Sequence, residues 1–292
     1  MKFDGADLSY VAFNQATVSN TSFKNTTLKW ARFDGAAIDT SSFSGANLYR
    51  SIFDGSRLDD VDFSRADIRS ASFRNVIVDP SNFTETDWWL AFGWSLTQID
   101  EFADQYPNDR YQQTEAFKNE RKIQMEKIAK NKSMSELEAI AQDDLAWLHA
   151  TYGIDLDAGE AASKRAMHIL DSLVGKADPK WIEKNNFSFK DTFAYLLMQK
   201  GRMQEALPLL KFLVEEAQEG GMMFRYAVTV HALAGEKAGS EKETLERDAL
   251  THLTEALGKK NYTPSHELYL LRKYITGELR AKLQKFVGPH VQ

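Results

Sequence analysis

Cysteine is absent from the 292 residues, which excludes disulfide frameworks, thiolate zinc sites and cysteine nucleophiles and favours a reducing, cytoplasmic setting. Long hydrophobic runs are also missing. The longest, Trp88 to Trp94, falls far short of the roughly 20 residues that a membrane-spanning helix needs. The opening stretch MKFDGADLSY has no apolar centre, so a secretory leader is not expected. Charge of one sign is lacking too: 36 Lys and Arg face 42 Asp and Glu, a net charge of −6, and nothing marks a polyanion binder. Among the six histidines no pair has the spacing of a zinc helix, and no Gly-rich phosphate loop, nucleophile elbow or dinucleotide fingerprint occurs. No catalytic, cofactor or metal site is therefore expected. The acidic pairs Asp143-Asp144 and Glu215-Glu216 read as solvated helix faces.

What is present is a period of five. Phe or an aliphatic residue stands at Phe3, Leu8, Phe13, Val18, Phe23, Leu28, Phe33 and onward without a gap to Phe83, which makes seventeen units. Two residues before most of them stands a small side chain, such as Ala6, Ala16, Ala31, Ala36, Ala46, Ser51 or Ala66. Neither a helix nor a strand has this period. It fits a chain that turns a corner every five residues, with four sides closing a coil of twenty. The corner calls for a residue that accepts positive φ, and Gly or Asn stands there in seven units: Gly5, Asn20, Asn25, Gly35, Gly45, Gly55 and Asn75. Pro80 cannot take positive φ, so its corner is expected to use another turn. Because Phe recurs every ten residues, two opposite walls become aromatic ladders and the other two are filled by Leu, Ile and Val.

Units such as FDGAD, FDGAA and FSGAN, over residues 1 to about 88, resemble the pentapeptide-repeat family. The resemblance implies a right-handed quadrilateral parallel β-helix and binding roles that are mostly non-enzymatic. Those roles include DNA mimics that bind type II topoisomerases. A mimic of that kind calls for a long, strongly acidic rod, whereas residues 1–87 hold 12 acidic and 9 basic side chains on about four coils. Past Phe83 the register breaks into the cluster Asp87 to Trp94, which is expected to cap the coil. The domain expectation is a β-helix over 1–88, a Trp-rich cap and linker over 89–110, and an all-α domain over 111–292.

From about residue 96 the apolar period becomes 3.6, consistent with some eight helices. Ser135 with Glu138, and Ser240 with Glu243, read as capping boxes; Asp178-Pro179 and Thr263-Pro264 read as caps before a first-turn proline. Leu137, Ile140, Leu145 and Leu148 are expected to share a buried face. The segment 187–220, with Ala194, Leu197, Gly201, Ala206 and Leu210 at close-contact positions, resembles a tetratricopeptide repeat, which implies a helical-hairpin solenoid with a concave groove. Ser188, Asp191, Tyr195, Met198, Gln199 and Arg225 would then face the groove. The fold class is thus α+β by domains: a quadrilateral β-helix followed by a tetratricopeptide-like α-solenoid.

Residues twenty apart stack in columns on the outside of such a coil. One corner reads Ser9, Lys29, Tyr49, Arg69 beside Tyr10, Trp30, Arg50, Ser70, an aromatic and basic strip. The diagonally opposite corner reads Ser19, Asp39, Asp59, Asp79 beside Asn20, Thr40, Asp60, Pro80 and is acidic. Exposed Trp, Tyr and Arg are enriched at interface centres, so the strip is a candidate partner site; the plainer alternative is a cation–π ladder that only steadies the coil. The expected function is a non-enzymatic scaffold or adaptor with protein partners and no cofactor, membrane or nucleic-acid ligand. The edge of the first coil and the Trp88–Trp94 region are candidate homodimer surfaces. The alternatives are a topoisomerase-binding DNA mimic or an enzyme with an unrecognised site in the helical domain, which a deep polar cleft would favour.

Overall fold

The computed structural model describes residues 1–78, 81–106, 115–260, 262–264 and 266–287. The chain divides into two compact units, one of residues 1–114 with 281–292 and the other of residues 115–280. The linker boundary expected at 110, and the Asp79-Pro80 corner, lie outside the described residues.

In the first unit the period of five becomes a four-sided coil. One wall is a four-stranded parallel sheet, β1 (Thr17–Ser19), β2 (Ala37–Asp39), β3 (Arg57–Asp59) and β4 (Ile77–Val78), paired in chain order at a register of twenty. The other three walls are columns of single parallel bridges at the same register, such as Lys2 with Ser22, Asp7 with Thr27 and Ala12 with Arg32. Phe43, Phe53, Phe63 and their successors are wholly buried, each ring stacked on the one twenty residues away at 4.8 to 5.3 Å. The two Phe rows meet edge to face across the axis, which places the positive ring edge against the negative ring face. Phe3, Leu8 and Phe13 of the first coil are only half-buried.

Every described corner residue takes positive φ, whatever its side chain: Gly5 (70°) and Asn25 (54°), but also Gln15 (58°), Trp30 (60°), Thr40 (45°), Arg50 (58°) and Glu85 (58°). The left-handed region costs a non-glycine residue roughly 1–2 kcal/mol, so coil closure overrides local preference at these positions. On three walls the corner closes with a backbone bond such as Ala6 N–H to Phe3 O (3.0 Å) or Ala31 N–H to Leu28 O (3.1 Å). At the corner after the β wall, Thr21 N–H instead donates to the Ser41 hydroxyl (3.1 Å) and Val61 N–H to the Ser81 hydroxyl (3.3 Å).

The coil runs further than the sequence pattern suggests. Trp88 takes the place of Leu48 and Ile68, and Phe92 still bridges Ser72. Gly93 then stands over Phe73, at φ 89°, so close that a Cβ would lie 2.6 Å from the Arg74 backbone. One residue later Trp94 continues the aromatic row, stacking on Phe73 at 4.4 Å. A Ser95–Gln98 capping box then starts α1 (Leu96–Gln105), whose Phe102 packs on Phe83 and Trp94. The Tyr106 hydroxyl accepts from Phe83 N–H at 3.1 Å. Trp88, Trp89 and Trp94 are buried in this plug and offer no surface for the self-association expected of them.

The remaining helices are α2 (Glu115–Lys130), α3 (Glu136–Tyr152), α4 (Leu156–Leu173), α5 (Pro179–Gln199), α6 (Met203–Glu216), α7 (Gly220–Ala234), α8 (Gly239–Gly258), α9 (His266–Leu270) and α10 (Gly277–Val287). That makes ten α-helices among the described residues, two more than the periodicity suggests. From α2 to α8 each packs mainly on its chain neighbours, with α3 also touching α5, and α5 touching α7. Ser135 caps α3 by accepting from Glu138 N–H (3.2 Å), while the Glu138 carboxylate accepts from Met134 N–H (2.6 Å), one residue beyond the expected box. Asp178 caps α5 before Pro179 as expected. The Ser240 box does not form: α8 begins two residues earlier, after Ala238, with no side-chain cap. Pro264 does not open a helix turn either, since α9 begins at His266. Leu137 projects into solvent, at 64% exposure, because α4 and α5 approach the other side of α3.

Candidate interaction surface

The strip forms as a ladder on the outside of the coil. Tyr10 lies nearly parallel to Trp30, with ring centroids 6.4 Å apart, and the Arg50 guanidinium covers Trp30 at 4.8 Å and Tyr49 at 5.4 Å. Tyr10 is 74% exposed and Trp30 42%. Arg69 lies flat against Asp67 in a two-point ion pair (2.8 Å each), and Lys29 stands exposed. All four residues of the Tyr10, Trp30, Arg50, Ser70 column sit at positive-φ corners, and none of them is Gly, Asn or Asp, the types that bear this conformation most easily. The other three corner columns each include at least one such residue.

The acidic corner is built by cross-coil hydrogen bonds. Ser19 donates to Asp39 (2.7 Å), and Thr40 donates to the same carboxylate, whose pKa these two bonds hold below the usual range. Similar pairs run up other columns, among them Asn14 to Asp34 (2.9 Å) and Ser42 to Asp62 (3.1 Å).

In the helical unit four of the six residues expected to face a groove, Asp191, Tyr195, Met198 and Arg225, are buried instead, while Ser188 is exposed and Gln199 half-buried. Tyr195 and Met198 are fully enclosed and Arg225 is 3% exposed. The guanidinium of Arg225 donates through Nε and Nη2 to Asp191 of α5 and through Nη1 to Glu267 of α9 (2.9 Å), beneath the rings of Trp147 and Tyr195. Burial pushes Asp191 above the ordinary carboxylate range despite the guanidinium beside it. His266 packs against Trp147 and Tyr195, and its pKa is lowered by burial. The short helix α9 thus packs where an open concave face was expected. The reading of Asp143 as a solvated residue also fails. It is buried against Ser188, and burial pushes it up to about 7, opposed in part by the hydroxyls of Thr192 and Ser188. Glu215 and Glu216 are exposed as expected.

A half-open cleft of about 420 Å³ lies at the ends of α6, α7 and α10 beside α8, lined by His231, Lys242, Glu246, Lys273, Tyr274 and Glu278 among others. Two polar pairs form within it: His231 Nε2 meets the Thr276 hydroxyl at 3.0 Å and Lys242 reaches Glu246 at 3.8 Å. Among the described residues no cluster of three or more His, Asp or Glu is arranged to hold a metal ion. No described helix is long and apolar enough to cross a membrane.

Residues 2–36 and 41–78 match the pentapeptide-repeat family in eight copies. No curated protein sequence matches the chain. Among solved structures, the trypsin-treated plasmid-mediated fluoroquinolone resistance protein QnrB1 is 19% identical over 32% of this chain and 46% of its own, with a TM-score of 0.30. A pentapeptide repeat protein of the Arabidopsis thaliana thylakoid lumen is 23% identical over 35% of this chain and 77% of its own (TM-score 0.24). HetL, involved in heterocyst differentiation regulation in the cyanobacterium Nostoc, is 17% identical over 31% and 50% (TM-score 0.13). The chain thus spans about half the length of the QnrB1 and HetL structures it matches.

Proposed function

We propose that the protein is a non-enzymatic scaffold that binds a protein partner through the aromatic and basic strip of its pentapeptide-repeat coil. The observation that carries this reading is the exposed Tyr10–Trp30–Arg50 ladder, held at left-handed corners by side chains that the local backbone disfavours. Backbone strain retained at an exposed aromatic cluster supports a role beyond coil closure. The helical unit, as a tetratricopeptide-like stack of neighbour-on-neighbour hairpins, would form the second arm of a cytoplasmic adaptor. The domain limits that go with this reading are 1–88, 89–110 and 111–292.

The test replaces Trp30 and Arg50 by Ser in the full chain and compares thermal unfolding with recovery of co-purifying partners. Loss of partners at a near-unchanged melting temperature supports the scaffold reading. Partners retained in full, with the melting temperature lowered, would show that the ladder serves the coil alone.

A further inference from the structure

Asp143 lies in mid-α3, one helical turn before Trp147, and is 7% exposed. The groups facing it can be followed element by element. From α5, the Ser188 hydroxyl donates to its Oδ2 at 3.2 Å, Thr192 lies against it, and Asp191 adds a second carboxylate. From α7, Arg225 directs Nε, Nη1 and Nη2 to Asp191 and to Glu267 of α9. On its own helix Asp144 adds another negative charge, paired with Lys127 of α2 at 3.8 Å. On α4, Glu160 is engaged with Lys164, Lys200 and Arg202, Asp157 with Lys200, and Arg165 with Glu138. Among the described residues no cation is bonded to Asp143, and its Oδ1 has no hydrogen-bond partner. An ionised carboxylate with one bare oxygen, enclosed beside a second carboxylate, is a more expensive state than a protonated one.

We propose that Asp143 is a proton-operated latch of the helical unit: it holds a proton while α3 is seated on α5, and loss of that proton loosens this seam and admits water to the face carrying Trp147, Tyr195 and Arg225. Two features make this face ready to hydrate. The Tyr195 and Thr229 hydroxyls are buried without hydrogen-bond partners, so entering water satisfies groups that the closed state leaves bare. Ser188, Thr192 and Asp191, which face Asp143 across the seam, all belong to α5, so ionisation of Asp143 acts at the α3–α5 contact as well as against Asp144 of its own helix.

The closed seam binds a proton that an opened, solvated Asp143 binds only near pH 4. The opening constant therefore rises about tenfold per pH unit from about pH 4 to about pH 7 and levels off above. Mild acid tightens the seam. His149, His231 and His266, whose pKa values burial lowers, act in the opposite sense below about pH 6.5, so the informative quantity is the difference from a variant lacking only the Asp143 proton.

The test uses the full chain and Asp143→Asn. Hydrogen exchange at α3 and α5, corrected for intrinsic rates, is expected to show the tenfold-per-unit loss of protection in the native chain relative to the variant between about pH 5 and 7. Superimposable profiles overturn the latch. Infrared difference spectra of the native chain supply an independent reading should the variant not fold. A protonated-carboxyl band that disappears with a midpoint near neutrality, and moves to higher pH in Ser188→Ala with Thr192→Val, supports the proposal. Absence of that band at about pH 6, or its indifference to the α5 changes, overturns it.

Discussion

The coil and the helical unit place their polar groups in opposite ways. In the coil the repeated inward positions are apolar or small hydroxyl residues, and the polar side chains of the outer columns bond to equivalents one turn above or below, as Asn14 is to Asp34 and Arg65 to Glu85 (3.0 Å), or to neighbours two residues away, as Arg32 is to Asp34; Asp87 of the last coil is buried. Such exposed pairs contribute little individually, and the coil rests on its stacked rings. The helical unit encloses Arg225, Asp191, Glu267 and Asp143. A repeat whose contacts are all between equivalent residues has no need of a buried charge, whereas a stack of dissimilar helices can use one to fix which partners meet, at a cost in desolvation.

The largest expected effect breaks the contrast from the helical side. Arg225→Ala removes the buried guanidinium that bonds both Asp191 and Glu267 and should cost on the order of 3–5 kcal/mol. Far-ultraviolet circular dichroism against urea would record the loss, and the coil's aromatic near-ultraviolet signal should outlast the helical one. A matching blow to the coil is Phe53→Ala, which removes a ring stacked on both Phe33 and Phe73 and should cost about 3 kcal/mol or more in the same titration.

Glu160 gives a smaller effect with a sign in pH. Burial alone would raise its pKa, but hydrogen bonds from Lys164, Lys200 and Arg202 overrule this and hold it at about 2. A depressed carboxylate stabilises the fold above its unfolded value and loses that contribution as pH falls from about 4.5 toward 2. Glu160→Gln should therefore weaken the native chain at pH 7 by about 1–3 kcal/mol and flatten its acid unfolding profile over that range. At the corners the sign reverses: Thr40→Gly relieves a β-branched residue at φ 45° and should raise stability by up to about 1 kcal/mol in thermal unfolding. The smallest expected effect concerns partner class. With its acidic side chains confined to certain columns and offset by basic ones, the chain should leave the supercoiling activity of purified gyrase unchanged.

The coil was legible because side-chain direction there depends only on position within five and twenty residues, so Phe3 to Phe83 could be assigned by counting. What counting missed is local: the slip between Phe92 and Trp94 follows from the one-residue difference that Gly93 absorbs, and no pentad rule contains it. In the helices the pattern correctly gave the Asp178 cap and the close-contact Ala194 and Ala206, which are decided within one turn or one hairpin. Tyr195 and Arg225 were misplaced because they pack against His266 and Glu267 of α9, seventy residues beyond Tyr195 in the chain, which periodicity cannot bring to them; Met198 is enclosed as well. Asp143 failed for the same reason. A DD pair on a helix looks solvated until the neighbouring helix is known, and only Asp144 turned out to face Lys127.

The register of twenty also fixes how this chain can change in length. Adding or removing one whole coil would leave ring over ring and carry the chain out of the spiral in the same direction. A change of five residues would rotate that exit by a quarter circle and set Leu and Ile above Phe in every layer that follows; a change of ten would match the walls again but reverse the heading. Growth of such a chain is therefore counted in full circuits.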